Sequence, residues 1–478
     1  MQQYRKQRGS ASALCSSRIP QPRKATPAPV CALPRRGRSG PPFSLIESIC
    51  YDFIGDQQSF PQKVALMLRL TTLLFGVALL LTGSGLLGTL LAVRGAQAGF
   101  DDRTLGLVMS GYFAGFFFGT FLGPPMIGRI GHIRAFAFFA ALAAIAILLH
   151  PVWVNPLVWG LLRLVTGAAL VGLYTTIESW LNAEPNPDTR ARVFSVYMMV
   201  NLSALALGQI LLGWGGMEMA TLFSLTAILV CASVMPVSAT RLTQPEVPPL
   251  TRFSLRRLYA LAPAATVGAW LSGLAMGGFW GLSPVYAGRI GLDTRGVALF
   301  MLAAIAGGAL LQVPIGRISN GRDRRLALAI TALAAAGVAL AMLLPAVQAD
   351  RRLLFGLFFL FGGLSFSLYP FAVAHMLDYL PREHLLSGCS SLLLVNGVGS
   401  AIGPALAGGA MQRFGPSALP MYFAVMLIAL AGYLFLRLRF RRDRTFEAPF
   451  RPMLRTTPSA LELMPETETP HPSQEESH

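Results

Sequence analysis

Lysine is the scarcest charged residue in this chain: three occur, Lys6, Lys24 and Lys63, and none follows residue 63 of 478. A phosphate-binding P-loop needs a lysine amine, and so does a pyridoxal Schiff base. ATP-driven pumping by this chain alone is thereby excluded, as is pyridoxal chemistry. Cysteine is also sparse. Of five, Cys15, Cys31 and Cys50 precede the first long apolar run, Cys231 and Cys389 lie inside apolar runs, and no CxxC occurs. Neither a disulfide framework nor a zinc site follows from such spacing. No nucleophile and base or metal constellation stands out, so the chain reads as a non-enzyme without a cofactor. Charge is low overall, 13% against 54% apolar residues, where soluble domains carry about 25% charged residues. The formal charge of +17 would suggest nucleic acid in a soluble protein. Here the arginines sit in short connections between apolar runs, where they orient a protein in a membrane instead.

What the chain has in quantity is apolar runs. The uncharged stretch from Leu70 to Val93 would reach roughly 36 Å as a helix, longer than a bilayer core of about 30 Å. Runs of this kind predict spans at Leu70–Val93, Leu105–Ile127, Ala135–Val154, Pro156–Leu181, Val193–Trp214 and Met219–Val237. Six more follow at Leu258–Ala287, Val297–Ile315, Leu326–Ala346, Leu353–Met376, Leu385–Met411 and Ala418–Leu436. The expected class is an all-α membrane protein of twelve spans in two six-helix bundles, residues 67–238 and 258–437, joined by a cytoplasmic linker at 239–257. Residues 1–66, basic and rich in Pro, Ser and Arg, read as a disordered extension or as sequence ahead of an alternative start at Met67. Residues 438–478 read as a disordered cytoplasmic tail.

With a cytoplasmic N-terminus, the short inside loops carry thirteen arginines and the outside loops seven. That bias, with five arginines between Arg437 and Arg444, places both termini in the cytoplasm. Two echoes point to an internal repeat. The string IGRI occurs at Ile127–Ile130 and at Ile315–Ile318, 188 residues apart. Asn201, Gly208 and Gly213 return as Asn396, Gly403 and Gly408, and Leu173 and Tyr174 as Leu368 and Tyr369, all at an offset of 195. Two homologous halves are a common construction in secondary transporters.

The loops PPMIGRIGHIR (Pro124–Arg134) and PIGRISNGRDRR (Pro314–Arg325) resemble those of the major facilitator superfamily, whose pattern is Gly-x-x-x-Asp-Arg-x-Gly-x-Arg-Arg. Arg129, Gly131 and Arg134 fit in the first loop, with Gly128 where the Asp is expected. Gly316, Arg324 and Arg325 fit in the second, with Asn320 in place of the Asp. Trp159, Arg163 and Gly167 resemble the superfamily's intramembrane pattern of apolar residue, Arg and Gly at four-residue spacing. The string TTIESWLNAEPNPDTRARVFS (Thr175–Ser195), with the Tyr369–Pro370 and Ala374–His375 pairs, is similar to the YcaD-like group of bacterial facilitators. The resemblance covers about Leu70 to Leu436. It implies a proton- or gradient-linked inner-membrane transporter whose cytoplasmic gate includes the loop residues just named, and whose cavity is lined by spans one, four, seven and ten.

In span four, Arg163, Gly167, Leu170, Tyr174 and Glu178 share one helical face. A charge near mid-membrane costs at least about 2.5–3.5 kcal/mol, which favours a water-filled cavity or the bundle interior. Arg163 is a candidate anion anchor or proton-relay member; a structural arginine capped by carbonyls is the alternative. Glu178 is a candidate proton carrier, or else a gate partner of Arg129 or a nearby arginine. His375 and Asp378, three apart near the cytoplasmic end of span ten, form a candidate proton-exchange pair. Thr82, Ser84, Tyr174, Trp280 and Tyr369 are candidate cavity residues by resemblance. Gly111, Gly115, Gly119 and Gly123 in span two form a ridge without side chains, and Gly399 and Gly403 do the same in span eleven. Close helix approach follows, with the two ridges expected to face each other as a rocking contact between the halves. The expected partners are a small solute, protons and the lipid bilayer, not nucleic acid, and the expected state is a monomer. A non-transporting scaffold or receptor of the same architecture is the rival reading.

Overall fold

The computed structural model describes residues 60–182, 187–214, 217–239, 254–318, 323–380 and 384–440. The expectations for most of the leader, the tail and the linker, and for Asn320, fall outside these residues; residues 60–66 and 438–440, expected to be disordered, lie in helices. Within them the chain forms helices and no strand. Apolar sequence in a bilayer must satisfy its backbone hydrogen bonds within each segment, and a helix does so. The first half comprises α1 (Phe60–Gln97), α2 (Asp102–Ile130), α3 (His132–Leu149), α4 (Pro156–Asn182), α5 (Pro187–Gly213), α6 (Met219–Ala232) and the short α7 (Val234–Ala239). The second comprises α8 (Leu255–Leu261), α9 (Pro263–Arg289), α10 (Thr294–Ile318), α11 (Arg324–Ala341), α12 (Pro345–Ala349), α13 (Arg351–Leu377), α14 (Leu385–Phe414) and α15 (Ala418–Phe440). Eleven of the described helices are long and apolar enough to span a membrane, and twelve spans result if α8 and α9 count as one.

Local signals set the helix ends. The Asp101 carboxylate accepts from Thr104 N at 2.8 Å and starts α2, and Asp350 does the same for α13 through Arg352 N. Both are N-caps. Gly131, at φ 82° and ψ 159°, turns α2 into α3 through a region of backbone space open to little but glycine. Three expected spans need correction. The third ends at Leu149 rather than Val154, just ahead of Pro151. The seventh does not run straight from Leu258: α8 and α9 meet at 114°, because Ala262 (φ −132°, ψ 65°) precedes Pro263 and the residue before a proline is pushed out of the helical region. The ninth ends at Ala341 rather than Ala346, with Leu344 extended ahead of Pro345.

Glycine contacts hold the halves together internally, and they revise the expected ridge. A Cβ on Gly115 would strike the Leu164 carbonyl, and one on Gly111 the Gly160 carbonyl. Gly119 meets Ala168. The ridge of α2 therefore packs on α4, inside its own half. Gly399 and Gly403 likewise pack on the backbone of α9 at Trp270 and Leu274. Contact between the halves does join α2 to α14, but at Gly106 against Gly408 and Pro404, with Ala405 N donating to Ser110 Oγ at 3.1 Å. Such small-residue contacts let membrane helices approach closely where lipid offers no hydrophobic drive.

The same contacts show the repeat. Gly115 on Leu164 recurs as Gly307 on Phe359, Gly167 on Tyr112 as Gly362 on Ala304, and Gly208 on Thr82 as Gly403 on Leu274. In each, the α1 or α2 member recurs 192 residues later and the α4 or α5 member 195 later. The IGRI strings, 188 apart, are thus one turn out of packing register, since α2 runs a turn further past its glycine contact than α10 does. The contact of Gly106 with Gly408 has its own counterpart in Gly213 against Ala298, where a Cβ on Gly213 would stand 3.4 Å from that of Ala298.

Gly115→Ala should lower the unfolding free energy of the detergent-purified protein by about 1–3 kcal/mol through overpacking. Gly128→Ala, which meets open space, should be neutral or stabilising by up to about 1 kcal/mol. Thermal or denaturant unfolding of the two variants beside the parent measures both.

Candidate functional site

A cavity of about 190 Å³ lies between the halves. Three observations give it chemical character. Among the described residues its wall holds one cation, Arg163, and no acid. Two pairs of repeat-related residues face it, Tyr174 with Tyr369 and Asn201 with Asn396. Aromatic rings make up much of the remainder, Phe113 and Phe116 from α2, Trp280 from α9 and Phe366 from α13.

Arg163 is placed by glycine packing. Because Gly167 seats α4 directly on the Tyr112 backbone, Arg163, one turn away, comes to lie with its guanidinium 4.4 Å from the centre of the Tyr112 ring. The arginine is 6% exposed, its Nε has no hydrogen-bond partner, and no carboxylate pairs with it among the described residues. A cation–π contact contributes about 0.5–2 kcal/mol. Removing an ion from water costs several kcal/mol, so the ring does not offset the burial. Asn201 Nδ2, Ser365 Oγ and Asn396 Oδ1 are also buried on this wall without hydrogen bonds. Each such group costs about 1–3 kcal/mol unless something completes it.

The repeat is chemically broken at this point. The counterpart of Arg163, 195 residues on, is Phe358, whose ring stacks on Phe300 at 3.6 Å. One half therefore presents a cation where the other presents a packed aromatic cluster.

Several expected residues lie elsewhere. Ser84, Arg163, Tyr174, Trp280 and Tyr369 line the cavity. Thr82 does not, because its hydroxyl turns back to donate to Ala78 O at 2.7 Å. The restriction of the wall to spans one, four, seven and ten also fails, since α2 contributes three rings and α5 and α14 one asparagine each. Those asparagines were visible in the repeat, and Tyr112 was not signalled by anything in its neighbourhood.

Glu178 lies further along α4, 15 residues from Arg163, or about 22 Å. It is fully buried and accepts from Tyr197 Oη of α5 at 3.1 Å. Beside it the His132 Nε2 and Ser179 Oγ atoms are 2.8 Å apart, tying α3 to α4. In the other half Asp378 pairs with Arg324 at 3.3 Å, and Arg324 also donates to Ala374 O at 2.6 Å. His375 rests its ring against Tyr379, centroids 4.9 Å apart. Arg325 is held by Asp323 at 2.9 Å, the residue that caps α11. Of the remaining loop residues, Arg129 and Arg134 are exposed and Gly316 sits in the last turn of α10. Glu178, His375 and Asp378 are thus near one end of the bundle rather than on the cavity. Burial pushes the Asp378 carboxyl up to about 6, against the opposing pull of Arg324.

At the opposite end the halves are bound to each other. Arg289 of α9 donates from Nε to Asp102 Oδ1 of α2 at 2.9 Å, and from Nη2 to Phe100 O at 3.3 Å. Asp102 N donates to Gln412 Oε1 of α14 at 3.2 Å. With the contacts of Gly106 and Gly213, these bonds join the halves at this end of the helices.

Comparison with known proteins agrees with this architecture. The family description of the Major Facilitator Superfamily matches residues 73–385 and again 265–463. The chain is 28% identical over 376 residues to the uncharacterized MFS-type transporter YcaD of Shigella flexneri serotype 5b, covering 77% of this chain and 94% of that protein. The same figures hold for YcaD of Escherichia coli strain K12 / DH10B. Among solved structures, the nucleoside transporter NupG superposes with a TM-score of 0.58 at 15% identity, over 79% of this chain and 99% of NupG. The peptide transporter POT gives 0.62 at 17%, over 78% and 94%. At such identities the solved structures speak for the fold. A two-bundle helical fold around a central cavity, matched over most of its length by the family description, makes this chain a multi-pass membrane transporter of the major facilitator superfamily.

Proposed function

We propose that this chain moves a small solute across the inner membrane by alternating access, coupled to protons, with both termini in the cytoplasm. One observation carries the reading: a cavity ringed by repeat-related pairs lies between two halves that Asp102, Arg289 and Gln412 join at one end. With the arginine bias setting the orientation, that end, with Asp102 and Arg289, faces outward. The halves 67–238 and 258–437 then rock about the cavity, and breaking the outer contacts opens it to the other side. The loop residues Arg129, Gly131 and Arg134, with Gly316, Asn320, Arg324 and Arg325, belong to the cytoplasmic gate.

Proton coupling is assigned to the acids of that same end. Asp378 is faced by Arg324 from α11, and His375, one turn back on its own helix, lies near Asp323. A carboxyl that titrates near 6 keeps its ion pair above that pH and loses it below, so proton uptake releases Arg324. Glu178, buried against Tyr197, is the acid assigned to the first half, although its repeat counterpart is Val373 and not Asp378.

In proteoliposomes, solute addition should drive a pH change that disappears in Glu178→Gln; proton flux that survives in this variant would remove Glu178 from the pathway. Stability gives a second readout. Since folding raises the Asp378 pKa above its ordinary 3.8, its contribution is fully present below 3.8 and is lost as the pH rises through about 6. Acidification from pH 7 to 5 should therefore raise the melting temperature of the parent relative to Asp378→Asn, and parallel curves would contradict the assignment. For alternating access, Gly213→Cys with Ala298→Cys, in a chain whose native cysteines are replaced, brings two Cβ atoms close to disulfide range. Oxidation should stop solute flux and reduction restore it, whereas flux indifferent to the cross-link would count against movement at this contact.

A further inference from the structure

We infer that the central cavity takes an organic monocarboxylate with a single aromatic or similarly compact apolar body, its carboxylate held by Arg163. This rests on the transporter reading of the same cavity and adds the chemical class of its solute.

The charge argument comes first. Among the described residues Arg163 is the cavity's one cation and no acid shares the wall. Its guanidinium has an aromatic face on one side and a buried Nε with no hydrogen bond, while Glu178 of the same helix lies about 22 Å along the axis. The planar fork of a guanidinium matches a carboxylate through two parallel hydrogen bonds. An anion therefore supplies what the site lacks, and a cation would meet the repulsion of Arg163 with no carboxylate on the described wall to offset it.

The wall restricts the anion to one charge and an apolar body. Around the cation the described wall holds Phe113 and Phe116 on the adjoining α2 and Trp280 and Phe366 from the other half, which offer ring faces and edges and no second positive group. A dicarboxylate or a phosphate dianion would leave charge unpaired against these rings. Size agrees with such a solute. An apolar cavity of about 150 Å³ accommodates benzene, and this one, at about 190 Å³, has room for one ring and a carboxylate. Asn201 Nδ2 and Asn396 Oδ1, both without a hydrogen bond, add a donor from one half and an acceptor from the other, suited to a ring hydroxyl or amide.

The test is equilibrium binding to the full chain in lipid nanodiscs, with radiolabelled benzoate as the probe and isosteres as competitors. Benzoate should bind saturably. Benzamide, benzylamine, acetate and phthalate should each compete at least about tenfold more weakly, a difference of one decade in Kd. Arg163→Gln should weaken benzoate by a similar factor and leave benzamide unchanged. Arg163→Lys, which keeps the charge and loses the fork, should fall between. Benzamide or benzylamine competing as well as benzoate, undiminished benzoate binding in Arg163→Gln, or no benzoate binding at all would overturn the inference. The competitor series uses the parent protein alone, so it decides the matter even where a variant fails to fold. Flux is measured separately. Benzoate binding without flux would count against transport and leave the inference standing. Proton-linked flux of another solute, without benzoate binding, would do the reverse.

Discussion

Two helices can touch backbone to backbone only where neither interposes a side chain, and the arrangement of this protein depends on where its glycines permit that. Lipid tails are as apolar as leucine, so burying apolar surface between spans yields little, and van der Waals contact at close range has to supply the specificity. Gly115 and Gly167 close α2 onto α4, and Gly307 and Gly362 close α10 onto α13 by equivalent contacts. The two pairs are related by the internal repeat. Each half is rigid at the interfaces where a methyl group would strike a carbonyl.

That rigidity delivers the charge. Arg163 lies one turn from Gly167, so the contact that seats Gly167 on the Tyr112 backbone also carries the guanidinium over the Tyr112 ring and onto the cavity wall. In the second half the same backbone geometry carries Phe358, which joins a stack with Phe300. A near-symmetric scaffold thus becomes a polar and directional site by a change of side chain at one pair of equivalent positions. The asparagine and tyrosine pairs, kept in both halves, surround the cavity from opposite sides.

Between the halves the same kind of contact recurs at Gly106 against Pro404 and Gly408. Beside it a part-buried ion pair joins Asp102 to Arg289, with Gln412 accepting from Asp102 N. Tight packing within each half, and contacts between them that join the ends at Asp102 and Arg289, suit two bodies that rock about a site. The acids Glu178 and Asp378 sit at the other end, each bonded within its own half by Tyr197 and Arg324.

By itself the sequence determined the helical class, the number of apolar segments, the existence of two related halves and the isolation of Arg163 in an apolar span. These follow from run length, from charge placement and from identities at a fixed offset, all of which are local or one-dimensional. Helix ends at Pro263 and Pro345 were legible in the residues, although span lengths overran them, because hydropathy continues through a proline while helical backbone does not. The partner of each glycine was decided only by the tertiary structure. A ridge such as Gly111 to Gly119 declares that something approaches, and only the packing of α2 on α4 says what. The wall of the cavity was likewise out of reach, since Tyr112, Asn201 and Asn396 come from three helices brought together by contacts far apart in the chain. Thr82 turned the other way for the same reason: a hydroxyl within reach of its own helix carbonyl bonds there, and no pattern of neighbours records which face the bundle will present.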